Sequence, residues 1–83
     1  MEDVIVREDV VKGFCFYLQQ KLERSVKEKK LRLSHHGRLN LEIRYLCASG
    51  VINYKERDEI QDQLKTMFCD AFRQIGLQHN NLA

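Results

Sequence analysis

Apolar residues recur along this chain at helical spacing in two long stretches, and ambiguously in a third between them. From Val10, the residues Val10, Val11, Phe14, Tyr17, Leu18, Leu22 and Val26 form one broad stripe, the pattern of an amphipathic helix. Acidic Glu8 and Asp9 sit near its start, where the macrodipole favours them. The spacing predicts a helix to about Lys29 or Lys30. Phe16 falls off the stripe, and Gly13 interrupts it. A glycine inside a helix costs about 1 kcal/mol against alanine, and it allows another helix to come close.

The second long stretch is the clearest. Ile60, Leu64, Met67, Phe68, Ala71, Phe72 and Ile75 share one face of a helix expected from Asn53 or Tyr54 to Ile75. Asn53 followed by Glu56 reads as a capping box, each side chain taking the other residue's amide. Gly76 is expected to end the helix, leaving 77–83 as a flexible end to match 1–6 at the start.

Residues 30–45 read two ways. Leu31 and Leu33, then Leu39, Leu41, Ile43 and Tyr45, alternate with polar residues around Ser34-His35-His36-Gly37, as in a β-hairpin. Yet Leu39, Ile43, Leu46 and Cys47 also make one helical face, and Leu41, Tyr45 and Ala48 the opposite one. Leucine, glutamate and arginine favour helix, and Ala48-Ser49-Gly50 is a helix stop. A helix over about 38–49 is therefore expected, with two apolar faces, and the hairpin is the alternative. Val51 and Ile52 are expected to plug the bend that follows from inside.

The helix–Gly50–Val51–Ile52–Asn53 cap–helix pattern resembles hairpins in several unrelated small helical modules, including caspase-recruitment-type death-fold domains. The likeness covers about a quarter of the chain. A death-fold domain packs six helices, and the unbroken stripe from Val10 to Val26 leaves too few segments for that. The match is read as shared turn physics rather than kinship. The expected fold is all-α: one small domain over 1–83, a helix followed by an αα-hairpin, pairing into a dimeric bundle. An α+β fold with a hairpin at 30–45 is the alternative.

Composition adds little until charge is mapped. The 83 residues carry a net charge of only +2 and no proline. Residues 21–44 alone hold eight basic and three acidic groups. A local patch of this kind matters more to partners than the total. Lys21, Arg24, Lys27, Arg32, Arg38 and Arg44 are candidates to line a nucleic-acid backbone, each phosphate contact adding salt-dependent affinity. The expected ligand of this kind is an RNA or DNA duplex, double-stranded RNA being read mainly by shape and backbone. Against this, Glu23, Glu28 and Glu42 interrupt the run.

Other chemistry finds no footing. His35-His36 lacks the four converging ligands of a structural zinc site. Cys15, Cys47 and Cys69 show no paired spacing and are expected as reduced, small core residues. No phosphate loop or HExxH motif occurs, so neither catalysis, cofactor, metal nor small-molecule substrate is expected. No apolar run approaches the roughly 18 residues of a membrane span. Met1-Glu2-Asp3 is acidic, unlike a signal peptide, which gives a cytoplasmic or nuclear expectation and no membrane partner.

The surplus of apolar face points to protein contacts. Three such helices carry more stripe than a monomer needs, and a second copy or another protein would cover it. Phe14, Tyr17, Leu41, Tyr45, Phe68 and Phe72 are the candidate interface residues. The leading expectation is a non-catalytic interaction and dimerisation module, an adaptor, with nucleic-acid binding as the alternative.

Overall fold

A computed structural model describes residues 4–81, with side chains through Gly76. It contains three helices, α1 (Glu8–Glu28), α2 (Leu33–Ala48) and α3 (Tyr54–Asn81), and no strand among the described residues. The all-α reading therefore holds. α2 begins five residues before the expected start at 38, so the histidines and Gly37 lie in its first turns rather than in a loop. Residues 30–45, where alternation admitted a hairpin, are mostly helix. Helix propensity and a continuous Leu39–Ile43 core face outweigh a period-two pattern here.

α3 is the spine. Ile60, Leu64, Phe68 and Ala71 are buried along it. Val11, Cys15, Leu18 and Leu22 of α1 and Leu39 and Ile43 of α2 complete the same core. α1 runs parallel to α3: Arg7 meets Glu56 at one end, and Leu22 and Val26 line one hollow with Met67 and Ala71 towards the other. α2 is antiparallel to both, since His36 in its first turn touches Phe68 and its end turns into α3. Both helices pack on α3, and they barely meet each other.

Helix ends obey local chemistry. Lys29 closes α1 in the left-handed conformation, at φ 56°. Its amide and that of Lys30 donate to the Val26 and Ser25 carbonyls, a Schellman close. Gly50, at φ 83°, opens the second turn. Ile52 is buried as the plug of the bend, but Val51, also expected inside, is exposed; its carbonyl accepts a hydrogen bond from Arg7 Nη2. The Asn53–Glu56 box forms with both bonds at 2.8 Å.

Three expectations need correction. α3 continues through Gly76 to Asn81; one glycine lacks the propensity cost to stop so long a helix. The expected flexible end at 77–83 is thus helical to 81, and 82–83 and 1–3 lie outside the described residues. Only Cys15 is buried; Cys47 is half-buried and Cys69 exposed, since Cys69 follows Phe68 round the helix, off the core stripe.

Candidate functional site

An open groove of about 730 Å³ lies between α1 and α2. It follows from the topology: both helices lean on α3, and nothing fills the wedge between their outer faces. Val10, Gly13, Phe14 and Tyr17 form one wall and Leu41, Tyr45 and Leu46 the other, with Asp9 and Glu42 at the rim. Along α1 these positions recur every three or four residues, so they share a face. Leu41 and Tyr45 lie one turn apart on α2 and keep 65% and 72% of their surface in water. Tyr17 keeps 43%. Its ring packs 5.8 Å from that of Phe14, and the Lys21 ammonium sits 4.8 Å above it.

Four of the six candidate interface residues, Phe14, Tyr17, Leu41 and Tyr45, therefore converge on one surface. The other two do not. Phe68 is a core residue at 4% exposure, held edge-on by His36 and Phe72, and Phe72, 37% exposed, packs on Phe68 rather than lining the groove. Val10, Leu46 and Gly13 complete the groove. The period-3.6 pattern places Val10 and Gly13 beside Phe14 and Tyr17, but only the fold shows that α2 faces them.

Charge along the groove is polarised. Glu8 and Asp9 mark the end near the start of α1, and Lys21 and Arg24 the other. The Lys21 pKa is raised, first by its contact with the Tyr17 hydroxyl and further by Glu42, against an opposing push from Arg38.

The basic candidates scatter more. Lys21 and Arg38 line one hollow, Tyr17, Lys21 and Arg24 another, and Arg38 joins Arg32, Lys30 and His35 in a third. Arg44 lies six residues beyond Arg38, some 240° round the helix, and so points elsewhere. Lys27 is exposed in the last turn of α1. The histidines have structural occupations. His35 Nδ1 accepts the Arg32 amide at 3.1 Å, and the His36 ring meets Phe68 at 5.1 Å.

Among the described residues, the ionisable group with a strongly shifted pKa is structural. Glu56 is fully buried and accepts four bonds of 2.8 Å: from Arg7 Nε, Arg7 Nη2, the Arg7 amide and the Asn53 amide. Its pKa is lowered to about 2, chiefly by the Arg7 side chain, with the backbone amides helping and burial opposing. Arg7 is the N-cap residue of α1, so one carboxylate holds the first turns of two helices. Arg7 Nη2 also donates to the Val51 carbonyl, and Asn53 Nδ2 to the Ile5 carbonyl, each at 2.8 Å. Sequence marks the Asn53–Glu56 box; nothing local marks an arginine 49 residues away.

With this geometry in place, comparison with known proteins gives no further lead: no family model matches the chain, and neither does any curated protein or solved structure. Among the described residues no helix is long and apolar enough to cross a membrane, and no cluster of three candidate metal ligands occurs.

Proposed function

We propose that the protein is a non-catalytic interaction module whose α1–α2 groove docks an apolar helical face of a protein partner. The observation that carries this reading is the convergence of Phe14, Tyr17, Leu41 and Tyr45 on one open, apolar-walled groove. Helix-in-groove docking uses such walls, with anchors one turn apart and charges confined to the rim. Aromatic residues on such a surface supply large contact area at low entropy cost. Among the described residues, the carboxylate with the strongest pKa shift, Glu56, is spent on helix capping and lies outside the groove.

Site-directed photo-crosslinking tests it. Benzoylphenylalanine in place of Leu41 or Tyr45 is expected to give adducts of discrete mass in cells, and at exposed Lys65 on α3 none. Equal labelling at all three positions, or none at the groove, would remove the reading.

A second reading, docking of a duplex backbone, draws on the closeness of Lys21, Arg24, Arg32 and Arg38 at one end of the bundle. Titration against duplex RNA at two salt concentrations tests it. Binding must weaken steeply with salt and vanish in Arg32→Glu/Arg38→Glu. Absence of binding at low salt would dispose of it.

A further inference from the structure

Along the outward side of α1, Asp9, Gly13, Tyr17 and Lys21 follow one another at four-residue steps. Four residues advance a helix by about 6 Å and return nearly to the same face. The row reads acid, hollow, aromatic, base. Turned end for end, it reads base, aromatic, hollow, acid, which is its own complement. We propose that the groove's partner is a second copy of this chain, its α1 lying antiparallel across α1 on a two-fold axis. Tyr17 of each copy then sits over Gly13 of the other, and each Asp9 faces a Lys21. This rests on the docking reading above and names the occupant.

Three observations independent of the groove's shape converge on this. The first is Gly13. It sits in the second turn of α1, inside the helix, where glycine costs about 1 kcal/mol, and apart from its two neighbours and the helix's own backbone nothing described lies within 4 Å of where its Cβ would be. The bare backbone there leaves room for a ring arriving from outside. Phe16, which the core stripe leaves out, is 62% exposed beside it, so Phe16 and Tyr17 flank the bare backbone on either side.

The second is charge order. A two-fold axis through the middle of this row, level with residue 15, brings Asp9 of one helix against Lys21 of the other, since residue i meets j while j meets i. The parallel arrangement would set Asp9 on Asp9 and Lys21 on Lys21. A foreign helix would need only one of these matches, whereas the row satisfies both at equal distance from its centre.

The third is exposure. Phe16, Tyr17, Leu41 and Tyr45 keep 62%, 43%, 65% and 72% of their surface in water on and beside this row, an apolar surplus that a second copy would cover. Crossing midway between Gly13 and Tyr17 would lay α1 of the second copy along the groove, beside Leu41 and Tyr45 of its α2 wall.

Sedimentation equilibrium of the 83-residue chain from micromolar to millimolar concentration, with three variants, tests the proposal. The wild type is expected to reach twice the 9.9 kDa chain mass. Gly13→Leu fills the hollow and should weaken the dimer at least about tenfold. It should also raise the melting temperature of the dilute chain, because leucine is the better helix former; loss of the dimer is thereby separated from loss of the fold. Asp9→Lys and Lys21→Asp should each weaken association severalfold, and the double variant should restore it, because a reversed row is again its own complement. A wild type that stays at the single-chain mass would overturn the proposal. So would dimerisation undiminished in Gly13→Leu, or a double variant no better than the singles. If photo-crosslinks at Leu41 and Tyr45 persist while the chain stays monomeric, docking survives and the second copy is refuted; if both fail, the docking reading falls as well.

Discussion

The two sides of α1 are made of the same kinds of residue and end in opposite conditions. Its inner side carries Val11, Cys15, Leu18 and Leu22 into a core shared with Ile60, Leu64 and Phe68. That seam is closed at its end by the Arg7–Glu56 clamp, and among the described residues no buried side-chain polar atom lacks a partner. The outer side carries half-buried Val10 and Phe14 and exposed Tyr17 towards Leu41 and Tyr45, and leaves Tyr17, Leu41 and Tyr45 facing water. Apolar content does not separate these sides. The polar closure does: a carboxylate is buried only where its partners have arrived, so Glu56 marks the finished side and the rim of Asp9 and Glu42 the unfinished one.

The largest effect should come from the seam. Leu64 is completely buried on the spine helix, and Leu64→Ala is expected to cost about 2–5 kcal/mol in urea unfolding. That is a large share of what a small domain holds in reserve. Leu41→Ala removes the same atoms from the open wall and should cost a small fraction of that in dilute solution. Equal costs at the two sites would erase the distinction between inner and outer faces.

Next is the clamp. Glu56→Ala removes an N-terminal cap and the acceptor of two guanidinium bonds, for an expected loss of about 2 kcal/mol. The cost stays below that of a fully buried pair because Arg7 is half exposed and water can take over its donors. The pH dependence has a definite sign. Folding lowers the Glu56 pKa from its ordinary 4.5 to about 2, so its contribution is complete above pH 4.5 and drains away as pH falls towards 2. Glu56→Gln should be less stable near neutrality and lose less between those two values. Parallel acid curves for the two proteins would show that the carboxylate is not held as described.

These two regions were legible in the sequence to different degrees. The α3 stripe and the Asn53–Glu56 box are local patterns, and local patterns survive folding. The α2 face with Leu41 and Tyr45 was legible as surplus, because a helix apolar on two sides must leave one for something else. Arg7 was not legible. Its role depends on the start of α1 lying beside the start of α3, a topological fact that no spacing encodes. Gly76 and Cys69 misled for a related reason. A single glycine is a weak stop when the helix on both sides is strong, and cysteine is hydrophobic enough to suit a core position without being assigned one.

Helix ends supply smaller and opposite effects. Gly50 and Lys29 both take the left-handed conformation, but only glycine does so without steric cost. Gly50→Ala should therefore destabilise by about 1 kcal/mol, and Lys29→Gly stabilise by about 0.5–1 kcal/mol. The two together calibrate the comparison. Lys29 closes the helix that bears both sides, so stabilising it should leave the contrast between seam and groove unchanged. A Lys29→Gly variant with altered self-association would tie the groove to the fraying of α1 instead.

The smallest effect is the most telling. Tyr45 is the most exposed large hydrophobic side chain of the groove, and among the described residues its hydroxyl makes no side-chain hydrogen bond. Tyr45→Ser should change the melting temperature of dilute protein hardly at all, within the ~0.5 kcal/mol expected of a surface site. Concentration is what should separate the variant from its parent. Anything that binds only the folded chain stabilises it by mass action, so the parent's melting temperature should climb as the protein is concentrated, and that of Tyr45→Ser should climb less. A side chain that matters only in company has its partner outside the chain. If the two proteins melt alike at every concentration, Tyr45 is an ordinary surface tyrosine and the outer side of α1 is already complete.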